Sequence, residues 1–112
     1  MCMIYNDIIE TLKSIKSRPN IYIRKYPCYE IATSFIDGYL TAWAYKYNLE
    51  EKNNKSFWLD INTWYSEKLN KNFKDSLPDI VKEQYSGLSE DKLINKYLNV
   101  LIEFFNYKLE NK

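Results

Sequence analysis

Between Ser89 and Glu110 the apolar residues return at intervals of three and four, and this regularity constrains the fold more than any other feature of the chain. Ile94, Tyr97, Leu98, Leu101, Phe104 and Phe105 fall on one face of a helix. The start of that helix is equally well marked. Ser89 is a good N-cap, Glu90 and Asp91 place negative charge at the helix N-terminus, and Leu88 is positioned to staple onto Leu93. The spacing predicts a helix over about residues 90–109, with an apolar face that other helices must cover.

The same period recurs upstream. Ile4, Ile8, Leu12 and Ile15, with Ile9 beside them, predict an amphipathic helix over about 4–17. Pro19 ends it, because the residue before a proline is pushed out of the helical region. Residues 20–27 read as an irregular corner: "NIYIRKY" alternates like a short strand, but no second clear strand exists to pair with it. A second helix, about 28–47, presents Ile31, Ala32, Phe35, Ile36, Tyr39, Leu40, Ala42 and Trp43 as a wide apolar face, opposite a stripe of Glu30, Ser34, Asp37 and Thr41. Gly38 in its interior costs about 1 kcal/mol relative to Ala, which predicts a close approach of another helix or backbone at that point.

The polar stretch 48–56 is a linker, with Ser56 as N-cap of a third helix over about 57–70. Phe57, Ile61, Trp64 and Tyr65 define its core face, and Trp58 and Asp60 lie off that line. After a weak break at "NKNFKDS", Leu77-Pro78 opens a short helix of about 78–85, and Gly87 ends it in the left-handed conformation. The expected fold class is all-α: a compact bundle of four longer helices plus one short helix, forming a single domain over 1–112.

The chain has no histidine. That removes the commonest general base, the Ser-His and Cys-His nucleophile pairs and most zinc sites. Its cysteines, Cys2 and Cys28, form no CxxC pair, and with 2 glycines it carries no glycine-rich phosphate loop. No cofactor and no metal site is expected. Carboxylate chemistry remains: Glu30 and Asp37 lie two turns apart on the polar face of one helix, and paired carboxylates can carry hydrolysis. Carboxylates on such a face are more commonly just solvated.

The net charge of +1, from 16 basic and 15 acidic residues, argues against a general nucleic-acid binder. Locally, Lys13, Lys16, Arg18, Arg24 and Lys25 stand between Thr11 and Tyr29 without an acidic neighbour. Such a patch suits an acidic partner or a phosphate, or is simply a solvated helix end and loop. The start of the chain lacks signal-peptide character, and no apolar run reaches membrane-spanning length. A cytoplasmic protein with reduced thiols and no membrane association is expected. Aromatic residues reach 17%, more than a small core needs, so some rings are expected to face solvent or a partner. A bias toward Lys (14, against 2 Arg) and Asn (12) offers a second account of the many tyrosines, that of an AT-rich genome.

The stretch "SRPNIYIRKYPCYEIATSFIDGY", residues 17–39, resembles a motif of small bacterial proteins in which a first helix ends in Arg-Pro, a Met-Tyr-Leu-Gly-like segment follows, and a helix containing Phe-Leu-Asp-Gly-Tyr comes next. The matching residues are Arg18, Pro19, Tyr22, Phe35, Asp37, Gly38 and Tyr39. "FWLDINTWYSEKL" resembles the aromatic third helix of that family, and "LPDIVKEQYSGLSEDKLINKYLNVLIEFF" its closing segment. The chain departs from the motif where Asn20-Ile21 replaces Gly-Met and where no Gly follows Tyr22.

The family looks like the immunity proteins of bacterial toxin systems, which neutralise secreted or contact-delivered toxins by direct binding. The resemblance implies a toxin domain as partner and no catalytic turnover; a monomer or weak dimer is expected. Arg18, Pro19, Tyr22, Asp37 and Gly38 are then read as a structural corner, with Asp37 accepting hydrogen bonds from corner backbone or from Arg18. Arg24 and Lys25 at the basic tip, and Trp58 on the flank of the third helix, are the expected partner contacts. The competing readings are a small helical nucleic-acid-binding or regulatory protein using the basic patch over 13–25, and a small carboxylate hydrolase.

Overall fold

The computed structural model describes residues 2–17, 28–47, 57–70 and 75–110. Among them run helices α1 (Cys2–Ser17), α2 (Tyr29–Tyr47), α3 (Phe57–Leu69), α4 (Leu77–Gln84) and α5 (Glu90–Glu110). No strand occurs among the described residues, and the chain is all-α. Four helices of 16, 19, 13 and 21 residues accompany one of 8. The Cα radius of gyration, 13.7 Å, is that of a compact globule.

The longest helix is the hub. Along α5, Leu93, Ile94, Tyr97, Leu98, Val100, Leu101, Phe104 and Phe105 are all buried. α1 lies along it most extensively, and α2 and α4 also pack against it. Ile8, Ile9, Leu12 and Ile15 of α1 fill one side of the core, and Ile36 and Leu40 of α2 fill another. Each fully buried side chain of this kind contributes roughly 1.5–3 kcal/mol. α3 joins α5 through rings and charges: Trp64 meets Phe104 edge to face at 5.5 Å, and the Lys108 ammonium sits 2.7 Å from Asp60.

Capping follows the sequence closely in the C-terminal half. Ser89 accepts from the Lys92 N–H at its hydroxyl and from the Leu93 N–H at its carbonyl, which fixes the start of α5. Ser76 opens α4 with extended backbone, and Pro78 occupies the first turn, where no N–H is needed. Gly87 is left-handed at φ +96° as expected, but α4 has already ended at Tyr85, whose N–H closes back onto the Val81 carbonyl. The glycine therefore turns the link into α5 and does not itself cap α4.

The covered stripe of α2 is narrower than the expected face. Tyr29, Ala32, Thr33, Ile36 and Leu40 are buried, whereas Ile31 is 47% and Phe35 39% exposed. Ala42 is also exposed. Both flanks of this helix are apolar, so periodicity alone does not tell which stripe the neighbours cover. The expected close approach at Gly38 is not found: among the described residues, a Cβ placed there meets no atom within 4 Å, and the residue is exposed. Among the described residues the glycine therefore costs conformational entropy with no packing return. Ser56 and the side chains of Ile4 and Phe57 lie outside what the structure describes.

Candidate functional site

Two helical faces meet at one cleft. Asp37 and Thr41 are four apart and share a face of α2; Trp58 and Asn62 are four apart and share a face of α3. The Trp58 indole Nε1–H donates to the Thr41 hydroxyl at 3.0 Å, which ties the first turn of α3 to α2 and sets the plane of the ring. The start of α4 supplies a third wall with Ser76, Leu77 and Pro78. Asp37, Trp58, Asn62, Ser76, Leu77 and Pro78 line about 250 Å³ that is open to solvent.

The carboxylate in the cleft is held from below. Tyr97, fully buried on α5, donates its hydroxyl to Asp37 Oδ1. Tyr29 lies edge-on to Tyr97 at 6.2 Å and donates its own hydroxyl to the Pro78 carbonyl at 2.5 Å. The Tyr29 N–H in turn donates to Glu90 at 2.6 Å, which ties the start of α2 to the start of α5. Burial raises the Asp37 carboxyl above its ordinary range, and the Tyr97 hydrogen bond opposes that shift. Burial, then the Asp37 charge, push the Tyr97 phenol far above its usual value, so it remains a donor. Tyr29 is raised in the same sense, first by burial and then by Asp37.

Asn62 has a divided environment. Its Nδ2 donates to the Asp75 carbonyl at 3.3 Å, while its Oδ1 is buried and accepts no hydrogen bond from the described residues. An unsatisfied buried acceptor costs about 1–3 kcal/mol unless a donor or a water reaches it.

The structure thus gives Asp37 a partner that the sequence did not suggest. It accepts from Tyr97, 60 residues away on α5; the expected hydrogen bonds from corner backbone or Arg18 fall outside the described residues. Arg18, Pro19, Tyr22, Arg24 and Lys25 lie outside the described residues. Trp58 stands on the flank of α3, as expected, in the wall of the cleft. Glu30 does not join Asp37: it is exposed and pairs with Lys82 at 3.6 Å, so the two carboxylates serve different described neighbours. Within the basic patch, Lys13 lies 3.8 Å from Glu10, and Lys16 donates to Asn99 at 2.7 Å. Cys28 is a free thiol. No group of three or more metal-ligating side chains occurs among the described residues, and none of their helices is long and apolar enough to cross a membrane.

Sequence reasoning missed Asn62 entirely and placed Tyr97 only in the core. One signal was available for Tyr97: a tyrosine on the buried face of a helix needs a partner for its hydroxyl, and Asp37 is a carboxylate set among apolar neighbours. Nothing in the sequence marks Asn62. No family model, no curated protein and no solved structure matches the chain.

Proposed function

We propose that this chain is an immunity protein that binds one bacterial toxin and silences it stoichiometrically, without turnover. The resemblance of residues 17–39 and of the two later segments to such proteins is the starting point. The observation that carries the reading is Trp58. Its indole N–H is committed to Thr41 and its ring lines a largely apolar cleft, so a large side chain is already oriented before any partner arrives. Pre-oriented aromatics of this kind are frequent anchors of tight interfaces, because little ordering entropy remains to be lost on binding. The separation of Glu30 from Asp37 and the absence of histidine from the sequence favour binding over hydrolysis.

In this reading the toxin domain docks over α2, α3 and the start of α4. The basic residues Arg24 and Lys25 steer an acidic region of its surface, and Trp58 anchors the complex. Co-expression with the protein encoded in the neighbouring reading frame should yield a stable complex and restore growth. Trp58→Ala should mainly speed dissociation, while charge reversal at Arg24 and Lys25 should slow association and reduce its salt sensitivity. No complex and no rescue of growth would count against the proposal.

A further inference from the structure

We propose that the cleft walled by Asp37, Trp58 and Asn62 receives the ammonium or guanidinium head of a lysine or arginine side chain presented by the protein partner. The inference rests on the inhibitor reading for the identity of the partner, but the chemistry is set by the cleft itself. Asp37 contributes a carboxylate with lone pairs beyond the one that Tyr97 occupies. Asn62 contributes a buried oxygen that lacks a donor. Trp58 lines the cleft with part of its indole, and an indole attracts a cation held beside it. Among the described residues that line the cleft, the unmet polar requirement is for an N–H donor and the formal charge is the negative one of Asp37. A phosphate or carboxylate ligand would be repelled by Asp37 and would leave Asn62 Oδ1 unsatisfied. A purely apolar ligand would leave Asn62 Oδ1 and the remaining lone pairs of Asp37 without donors. An alkyl chain ending in a cationic, multiply donating head meets all three walls: its methylenes lie along Leu77 and Pro78, and its N–H groups reach the two oxygens.

The test uses the full chain, labelled with nitrogen-15, and side-chain analogues as probes. Butylguanidinium and butylammonium chloride are titrated in at constant ionic strength, with uncharged butylurea as the control. Saturable shifts of the Trp58 indole and Asn62 side-chain amide resonances are expected with the cations, and butylurea should bind about tenfold more weakly or worse. Asp37→Asn should weaken the cations to the level of butylurea. Asn62→Leu, at a partly exposed position, keeps the test decisive should Asp37→Asn fail to fold, and should also weaken the cations. No saturable shift, or equal response to butylurea, would overturn the proposal. So would cation binding that emerges only after Arg18→Gln, since the chain's own guanidinium would then be the occupant. No toxin enters this experiment, so its failure is separate from failure of the inhibitor reading, which is judged by complex formation and growth.

Discussion

Asp37 decides most at the scale of single residues. Its carboxylate lies in the wall of the cleft yet is held by a hydroxyl from the centre of the core. Asp37→Ala should cost on the order of 1.5–3 kcal/mol, because it strands a fully buried Tyr97 hydroxyl. Tyr97→Phe should cost roughly 1–3 kcal/mol by leaving the carboxylate without its donor. The double variant should cost less than the sum, and urea midpoints at unchanged slope check all three. Next to it, Gly38→Ala should stabilise the fold by about 0.5–1 kcal/mol, since no described atom stands where the methyl goes.

The buried phenols add a pH dependence. Burial raises Tyr65 from 10.0 to about 12, and Tyr29 and Tyr97 are raised as well. The folded state keeps these protons where the unfolded chain loses them, so their stabilising contribution is complete below pH 10 and falls as pH rises toward 12 and beyond. Alkaline unfolding should therefore accompany phenolate absorbance, and Tyr65→Phe should make the loss of stability with pH shallower. A slope unchanged by that substitution would contradict the assignment.

Among the helices, α5 was the most legible and α2 the least. The cap at Ser89 and the apolar spacing from Leu93 to Phe105 lie within one segment, so local chemistry determines both. In α2 the covered stripe depends on which side α5 and the other helices occupy, and Ile31 and Phe35 sit about 100° from the buried Ala32 and Ile36. Burial of Leu98 and exposure of Phe35 make a direct contrast. Leu98→Ala should cost roughly 2–5 kcal/mol, whereas Phe35→Ser should stay within about 0.5 kcal/mol of the parent. The ion pairs divide in the same way. Asp60 and Lys108 are largely covered, with side-chain exposures of 21% and 26%, whereas Glu10 and Lys13 are open at 75% and 58%. Removing Asp60 should be felt by α3 and α5; removing Glu10 should cost at most a few tenths of a kcal/mol.

The whole molecule shows why a site can stay hidden in a sequence that reveals its helices. Capping and periodicity act over a few residues, and they located all the helices that the structure describes. The cleft is made by α2, α3 and α4 brought together around α5, and its polar contacts cross 17, 13 and 60 residues of chain. Trp58 was legible as a ring off the core line of its helix; the orphan oxygen of Asn62 becomes meaningful only once Asp75 is seen to take its amide. The surplus of rings also has a mixed outcome: Tyr97, Phe104 and Phe105 are fully buried, while Phe35 and Tyr107 are 39% and 42% exposed.

The central claim is inhibition by binding, and its most direct measurement is a titration. The product of the neighbouring reading frame, the proposed toxin, is purified, its activity is assayed at a fixed concentration, and this protein is added in increasing amounts. The proposal predicts a linear fall in activity that reaches its floor near one equivalent, with recovery when the complex is separated. Full protection at a small fraction of an equivalent, or no protection at several equivalents, would contradict it.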